Sequence, residues 1–286
     1  MVPLRTWSER SVRTLAGVAA ICVATAGIAQ AQFGRGGRGF FGFGYGARVA
    51  TPQDFDGKFH WCRVMYRQAP DGSDGSWRTD FPRADINFSI RLSELTKTTV
   101  SFNSAHEPNH LLVQLTSPEL FNCPILMLSA PGAVDFNETE AAKLREFLLK
   151  GGFLWADDFW GSYEWDHWVR ELRKALPASE YPIFDVPPDH PIFRTQFEVA
   201  NVPQIPNIGF YMRSGHQTSE QGADSATPHI RGIAEPRNGR LMVLITHNTD
   251  LGDSWEREGD DPGYFMAFGP KGYALGINAF LYGLTH

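Results

Sequence analysis

Cysteine is scarce in this chain, with three among 286 residues, and only Cys62 and Cys123 lie beyond the first 31. Neither stands at a helix N-terminus or beside a basic pair that would lower its pKa, which argues against a thiolate nucleophile. Both adjoin apolar, strand-like runs, FHWCRVMY and CPILML, and two readings stand: a disulfide formed in an oxidising compartment, or two buried thiols. The uncharged run near the start, residues 15–28, is short for a bilayer span, so no stable membrane insertion is expected. Basic charge is lacking where the fold must lie. Residues 1–48 hold six arginines against Glu9, a net +5, and subtracting that from the overall −6 leaves −11 for the rest. A domain so acidic has no electrostatic footprint for nucleic acid. No EF-hand spacing and no G-x-S-x-G is present either.

What is present begins with an export signal. Arg5, Arg10 and Arg13 precede the uncharged run, and Ala29, Gln30 and Ala31 supply the small-x-small pattern of a cleavage site. Residues 1–31 therefore read as a signal peptide, and the mature protein as periplasmic or secreted. Residues 32–54, opening QFGRGGRGFFGFGYGAR, show no apolar period and read as a flexible Gly/aromatic-rich leader. Its Gly42, Gly44 and Gly46 do not form a dinucleotide loop, because no strand precedes them and no helix follows. Residues 55–286 remain for a single α/β domain.

Strands and helices alternate through that domain. PRADINFSIRLSELTK reads as a helix opened by Pro82, and LLVQL and PILMLS as buried strands. Asn137 and Glu140 form a capping box for a helix ending at Lys150, and Gly151 supplies the left-handed position after it. The strand FLWAD follows. Ser162 can then cap a helix whose Trp165, Trp168, Val169, Leu172 and Leu176 make one apolar stripe. Later come YPIFDV, HIRGIA, LMVLITH and a nearly all-apolar final helix, YALGINAFLYGL. The expectation is a three-layer, flavodoxin-like α/β sandwich with a mainly parallel sheet.

Ligands of such sheets gather outside the carboxyl ends of the strands. Three segments point there: Asp157 and Asp158 after FLWA, Asp189 and His190 after YPIFDV, and His247, Asn248, Thr249 and Asp250 after LMVLIT. Successive strand side chains face opposite ways, so Asp157 and Asp158 cannot both aim at one ligand while the chain stays extended. Asp158 is the expected site-facing member. Pro203, Pro206 and Asn207 mark an irregular connection that could lie over the same edge. Ser225 and His229 read as turn residues rather than a hydrolase pair. His106, His110, His167 and His216 read as surface or structural.

A strand ending Ser-Ala-Pro-Gly, a capped helix, Lys-Gly-Gly before a strand, a sharp turn and a later Asp-His-Pro-Ile resemble the class I glutamine amidotransferase-like superfamily, in particular its trehalose-utilisation-like branch. GGFLWADDFWG, DHPIF, DSATPHIRGI and HNTDLGDSWEREGDDP are more closely similar to the bacterial domain of unknown function 4159 family. The resemblance implies the flavodoxin-like fold. It implies no established activity, since the domain of unknown function family carries none, and amidotransferase activity is disfavoured because the amidotransferase cysteine falls in the turn holding Asp157 and Asp158, where no Cys, Ser or Thr occurs before Ser162.

Three functions fit these residues. The first is binding of a glycan or a periplasmic partner protein on a degenerate enzyme fold. The second is hydrolysis or isomerisation of a sugar-like substrate, with Asp157 or Asp158 and Asp250 or Asp253 as acid and base beside His247, and Trp155, Trp160, Tyr163 or Trp255 stacking on pyranose faces. The third is a metal site, the cofactor being unassigned: His190, His247, Asp157 or Asp158, and Asp250 suit Zn²⁺ or Mn²⁺. The acidic run from 250 to 261 suits Ca²⁺ or, as the simpler reading, a solvated loop.

Overall fold

The apolar runs become a seven-stranded sheet in the computed structural model, which describes residues 48–286. The signal-peptide expectation and the leader up to residue 47 lie outside the described residues. Five strands are parallel: β1 (Trp61–Val64), β3 (His110–Val113), β4 (Ile125–Ser129), β6 (Phe153–Asp157) and β9 (Leu241–His247). Their spatial order is β3-β1-β4-β6-β9, which in chain order is the flavodoxin-like winding 2-1-3-4-5. Every residue of these strands is buried, which is why they read as unbroken apolar runs rather than alternating ones. On the β9 side, β8 (His229–Ala234) and β7 (Phe184–Asp185) complete the sheet antiparallel. YPIFDV thus yields two strand residues. A separate antiparallel pair joins β2 (Arg67–Gln68) to β5 (Val134–Asp135).

Helices cover both faces. On one, α1 (Arg83–Leu95), α5 (Leu251–Glu256) and α6 (Pro262–Thr285) bury Phe88, Leu92, Trp255 and Phe280 against Trp61 and Trp155. On the other, α2 (Glu138–Leu149) and α3 (Gly161–Ala175) bury Leu144, Phe147, Trp168 and Leu172. The short α4 (Ile208–Arg213) follows Asn207. The capping box of α2 forms as read, and Gly151 takes φ +106° after the helix. Gly276 lets α6 approach α5, since a β-carbon there would stand 2.6 Å from the Trp255 ring. Among the described residues no helix is long and apolar enough to cross a membrane.

Two local expectations change and one open alternative is decided. Residues 48–54 pack on the domain instead of belonging to a free leader: Leu112 donates to Arg48 O, Ala50 donates to Leu112 O, and a 3₁₀ turn follows at Pro52–Asp54. Ser162 does not cap α3. Its N–H and hydroxyl both donate to Asp224, 62 residues on, while the Gly161 N–H donates to Asn248 and the Trp160 N–H to Glu164. Cys62 and Cys123 are joined as a disulfide that ties β1 to the segment entering β4.

Candidate functional site

Three neighbouring parallel strands end the same way. The residue after each last strand position is left-handed: Ala130 after β4 (φ 50°), Asp158 after β6 (φ 63°) and Asn248 after β9 (φ 60°). Asp and Asn tolerate this conformation better than most side chains do. It breaks the strand alternation at one stroke, so residues at the carboxyl edge turn in directions that a period of two does not predict.

Asp157 is still within β6 and fully buried. It shares the face of Trp155, accepts from the Thr246 hydroxyl and from the Gly252 N–H, and so holds β9 and the start of α5. Burial pushes its pKa up to about 7 despite those bonds. Asp158 instead lies half-buried on a cavity of about 530 Å³ at the carboxyl edge. The cavity is bounded by residues 72–75, by Trp160, Tyr163 and Glu164 at the start of α3, and by Asn207, Glu220 and Asp250. Trp160 Nε1 donates to Asp158, and the Pro203–Asn207 connection does run along this edge: Asp250 donates to Ile205 O and Thr249 to Pro203 O.

The carboxylates converge. Oxygens of Asp80, Asp158 and Asp250 all lie within 4.8 Å of one another, and a second group, Asp80, Asp253 and Glu256, shares Asp80. Burial, followed by repulsion from neighbouring carboxylates (Asp157, Glu220 and Glu164 for Asp158, and Asp158 for both Asp80 and Asp250), holds Asp158, Asp80 and Asp250 well above the usual carboxylate range. Burial also raises Asp253, Glu164 and Glu220, and lifts Glu256 to about 6. Asp253 differs from the first three in having a cationic partner, Arg257, besides accepting from Ile208 N. Asp250 also caps α5 through the Asp253 N–H. The 250–261 run is therefore not a solvated loop. Its first two acids are buried, Glu258 and Asp260 meet Arg91 and Arg83, and Asp261 caps α6.

Asp80 had no sequence signal. It comes from the connection before α1, in a left-handed conformation (φ 63°), and is set there by Arg63 on β1. That buried guanidinium pairs with Asp85 and donates to the Trp77 and Thr79 carbonyls next to Asp80. Glu164 and Glu220 were likewise not foreseen. An acid in a connecting segment is indistinguishable in sequence from an exposed turn residue.

Other expected site residues lie elsewhere. His247 is buried away from the cavity, with Nε2 donating to Gly161 O, Nδ1 accepting from Arg231, and its ring tilted against both Phe159 and Trp165. Trp155 and Trp255 are core residues, packed edge-to-face at 5.7 Å. His190 caps the Pro191–Phe193 turn and lies against Tyr282, whose hydroxyl accepts from Leu241 N at the opposite end of β9 from Asp250; Asp189 precedes it. Residues 106–110 spell His-Glu-Pro-Asn-His, the spacing of a zinc-protease helix. They form a turn entering β3, with His106 exposed and His110 buried, so the two imidazoles do not share a helix face.

An oxygen-rich cavity with closely spaced carboxylates can accept hydrogen bonds from hydroxyls, share a proton between two acids, or hold a hard cation. No curated protein matches the chain. Residues 61–284, from the first residue of β1 almost to the end of α6, match the family model described as Domain of unknown function (DUF4159). That span contains Asp80, Asp158 and Asp250, and the chain belongs to the DUF4159 family.

Proposed function

We propose that this is an exported, amidotransferase-like protein that has lost the cysteine nucleophile and binds a carbohydrate-like ligand at the carboxyl edge of its sheet. The observation that supports this best is the juxtaposition, in one cavity of about 530 Å³, of the Trp160 and Tyr163 side chains with Asp158, Glu164, Glu220 and Asp250. Aromatic faces stack on the apolar faces of sugar rings, and carboxylates accept from ring hydroxyls. The loss of glutaminase chemistry is supported by the turn sequence and by the disulfide, which leaves neither Cys62 nor Cys123 as a thiolate. Glycan-array screening followed by calorimetry tests the reading. Trp160→Ala should weaken the selected glycan by about tenfold or more, the usual worth of a buried aromatic anchor. Absence of any glycan ligand for the wild-type protein would sink it and favour a periplasmic protein partner.

A second reading, hydrolysis of a sugar-like substrate, is favoured by the close approach of Asp158 and Asp250. Two carboxylates this near share one proton, so one serves as acid and the other as base. Asp158→Asn and Asp250→Asn should then abolish glycosidase turnover while glycan binding survives.

A further inference from the structure

We propose that Asp80, Asp158 and Asp250 hold a hard divalent cation at the floor of the cavity. The three acids come from three separate segments, the turns before α1, after β6 and after β9, yet bring oxygens within 4.8 Å of one another. The bases nearby are already engaged: Arg63 with Asp85, and Arg257 with Asp253, Glu256 and Asp260. Three carboxylates whose nearby buried cation, Arg63, is already ion-paired with Asp85 are a charge arrangement that folding alone does not favour.

A second observation points independently to a ligand. Asp80 is only 8% exposed, and its Oδ2 is buried with no hydrogen-bond donor. An anionic oxygen left so is costly unless something positive occupies the space in front of it. The surroundings keep donors off that oxygen: Gly252 faces it without a side chain, and a β-carbon there would stand 2.2 Å from Oδ2. Asp253 and Glu256 are the weaker alternative partners, because Arg257 compensates them.

The ligand set is all oxygen, which suits Ca²⁺, Mg²⁺ or Mn²⁺ rather than thiophilic or imidazole-seeking ions. Oxygens within 4.8 Å of one another fit a Ca²⁺ sphere directly, since trans oxygens at bonds of about 2.3–2.6 Å stand roughly 5 Å apart. Asp158, half-buried at the cavity wall, leaves the solvent side open for water or for the hydroxyls of a ligand.

The test uses the full chain stripped with EDTA and titrated calorimetrically with Ca²⁺, Mg²⁺ and Mn²⁺ in turn, with the thermal midpoint followed in parallel. One equivalent of at least one of these should bind and raise the midpoint. Asp80→Asn should weaken that binding by about tenfold or more while raising the midpoint of the cation-free protein, because a like charge has gone. Glu256→Gln should leave the affinity near wild type. If Asp80→Asn fails to fold, Asp158→Asn, on the cavity wall, gives the same affinity reading. Wild-type protein that takes up none of the three ions at millimolar concentration, or an Asp80→Asn protein with unchanged affinity, overturns the assignment. The inference does not rest on the carbohydrate reading, and glycan titrations in EDTA separate the two.

Discussion

Asp157 has no exposed surface and both of its oxygens are engaged, whereas Asp158, one residue later, faces the cavity. The difference gives each a distinct signature. For Asp157 the folded pKa of about 7 lies above the ordinary 3.8 of the unfolded chain, so its contribution to stability is full below about pH 3.8 and is lost as pH rises through 7. Asp80, Asp158 and Asp250 shift in the same direction. Cation-free protein should therefore lose stability between about pH 4 and about pH 7, and Asp157→Asn should remove part of that loss, at most about 4 kcal/mol at 1.36 kcal/mol per unit. Denaturant midpoints across that range check it, and a flat wild-type profile would count against the cluster. His247 runs the other way. Burial lowers its pKa to about 4, so its contribution is present above about pH 6.5 and fades as pH falls through 4. His247→Ala removes two hydrogen bonds and a ring packed against Phe159 and Trp165. It should cost about 2–4 kcal/mol while leaving cation and glycan affinity near wild type, which thermal melts and calorimetry on the one variant would show together. Period-two reasoning separated Asp157 from Asp158 by face. It could not show that His247 packs against Phe159 and Trp165 rather than lining the cavity.

At the scale of elements, legibility followed the range of the interactions that define each one. The start of α2 was readable to the residue because it is local, with Asn137 and Glu140 capping each other, and its end was read to within one residue from Gly151. The start of α3 was not, because its N–H groups are met by Asp224 and Asn248, which lie far along the chain. Likewise the burial of the candidate acids Asp250 and Asp253 was not legible, because nothing local reveals that α5 is roofed by the segment ending at Asn207. The pairing of Cys62 and Cys123 needed the sheet order, since only adjacency of β1 and β4 brings them to a Cα separation of 6.1 Å. That bridge spans a sequence separation of 61, and closing such a loop should stabilise by about 4 kcal/mol in the chain-entropy account. Melting with and without a reductant measures it directly. Between helices, Gly276→Ala should cost about 1–3 kcal/mol by forcing the Trp255 ring from α6, and a neutral result would show that α5 can shift.

For the whole molecule, the winding 2-1-3-4-5 explains why the carboxyl edge collects so much. The chain reverses direction of build between β1 and β4, so connections from both halves of the sheet meet there. The long connection after β1 delivers Asp80 while β6 and β9 deliver Asp158 and Asp250. Alternating strands and helices made the layers legible, but this convergence is a property of the assembled sheet and no window of sequence contains it. The same holds for where the domain begins. The Gly-rich composition before residue 48 gave no apolar period, and extending that reading to residue 54 missed an edge strand contact. Val49 bridges Leu112 in parallel, and Arg48 and Ala50 bond to the same Leu112 backbone. Thr51 and Asp54 cap the turn that follows, and Ala50 is buried in the core that covers β3. A chain beginning at Arg48 and one beginning at Phe55 therefore differ by two sheet hydrogen bonds, a capped turn, the Arg48–Asp54 ion pair and a buried alanine. Two hydrogen bonds and a cap are together worth about 2–4 kcal/mol, which in a domain of this size lowers the thermal midpoint by roughly 4–16 °C. Equal midpoints for the two chains would mean that the β3 edge stands without this segment and that the domain starts at Phe55 after all.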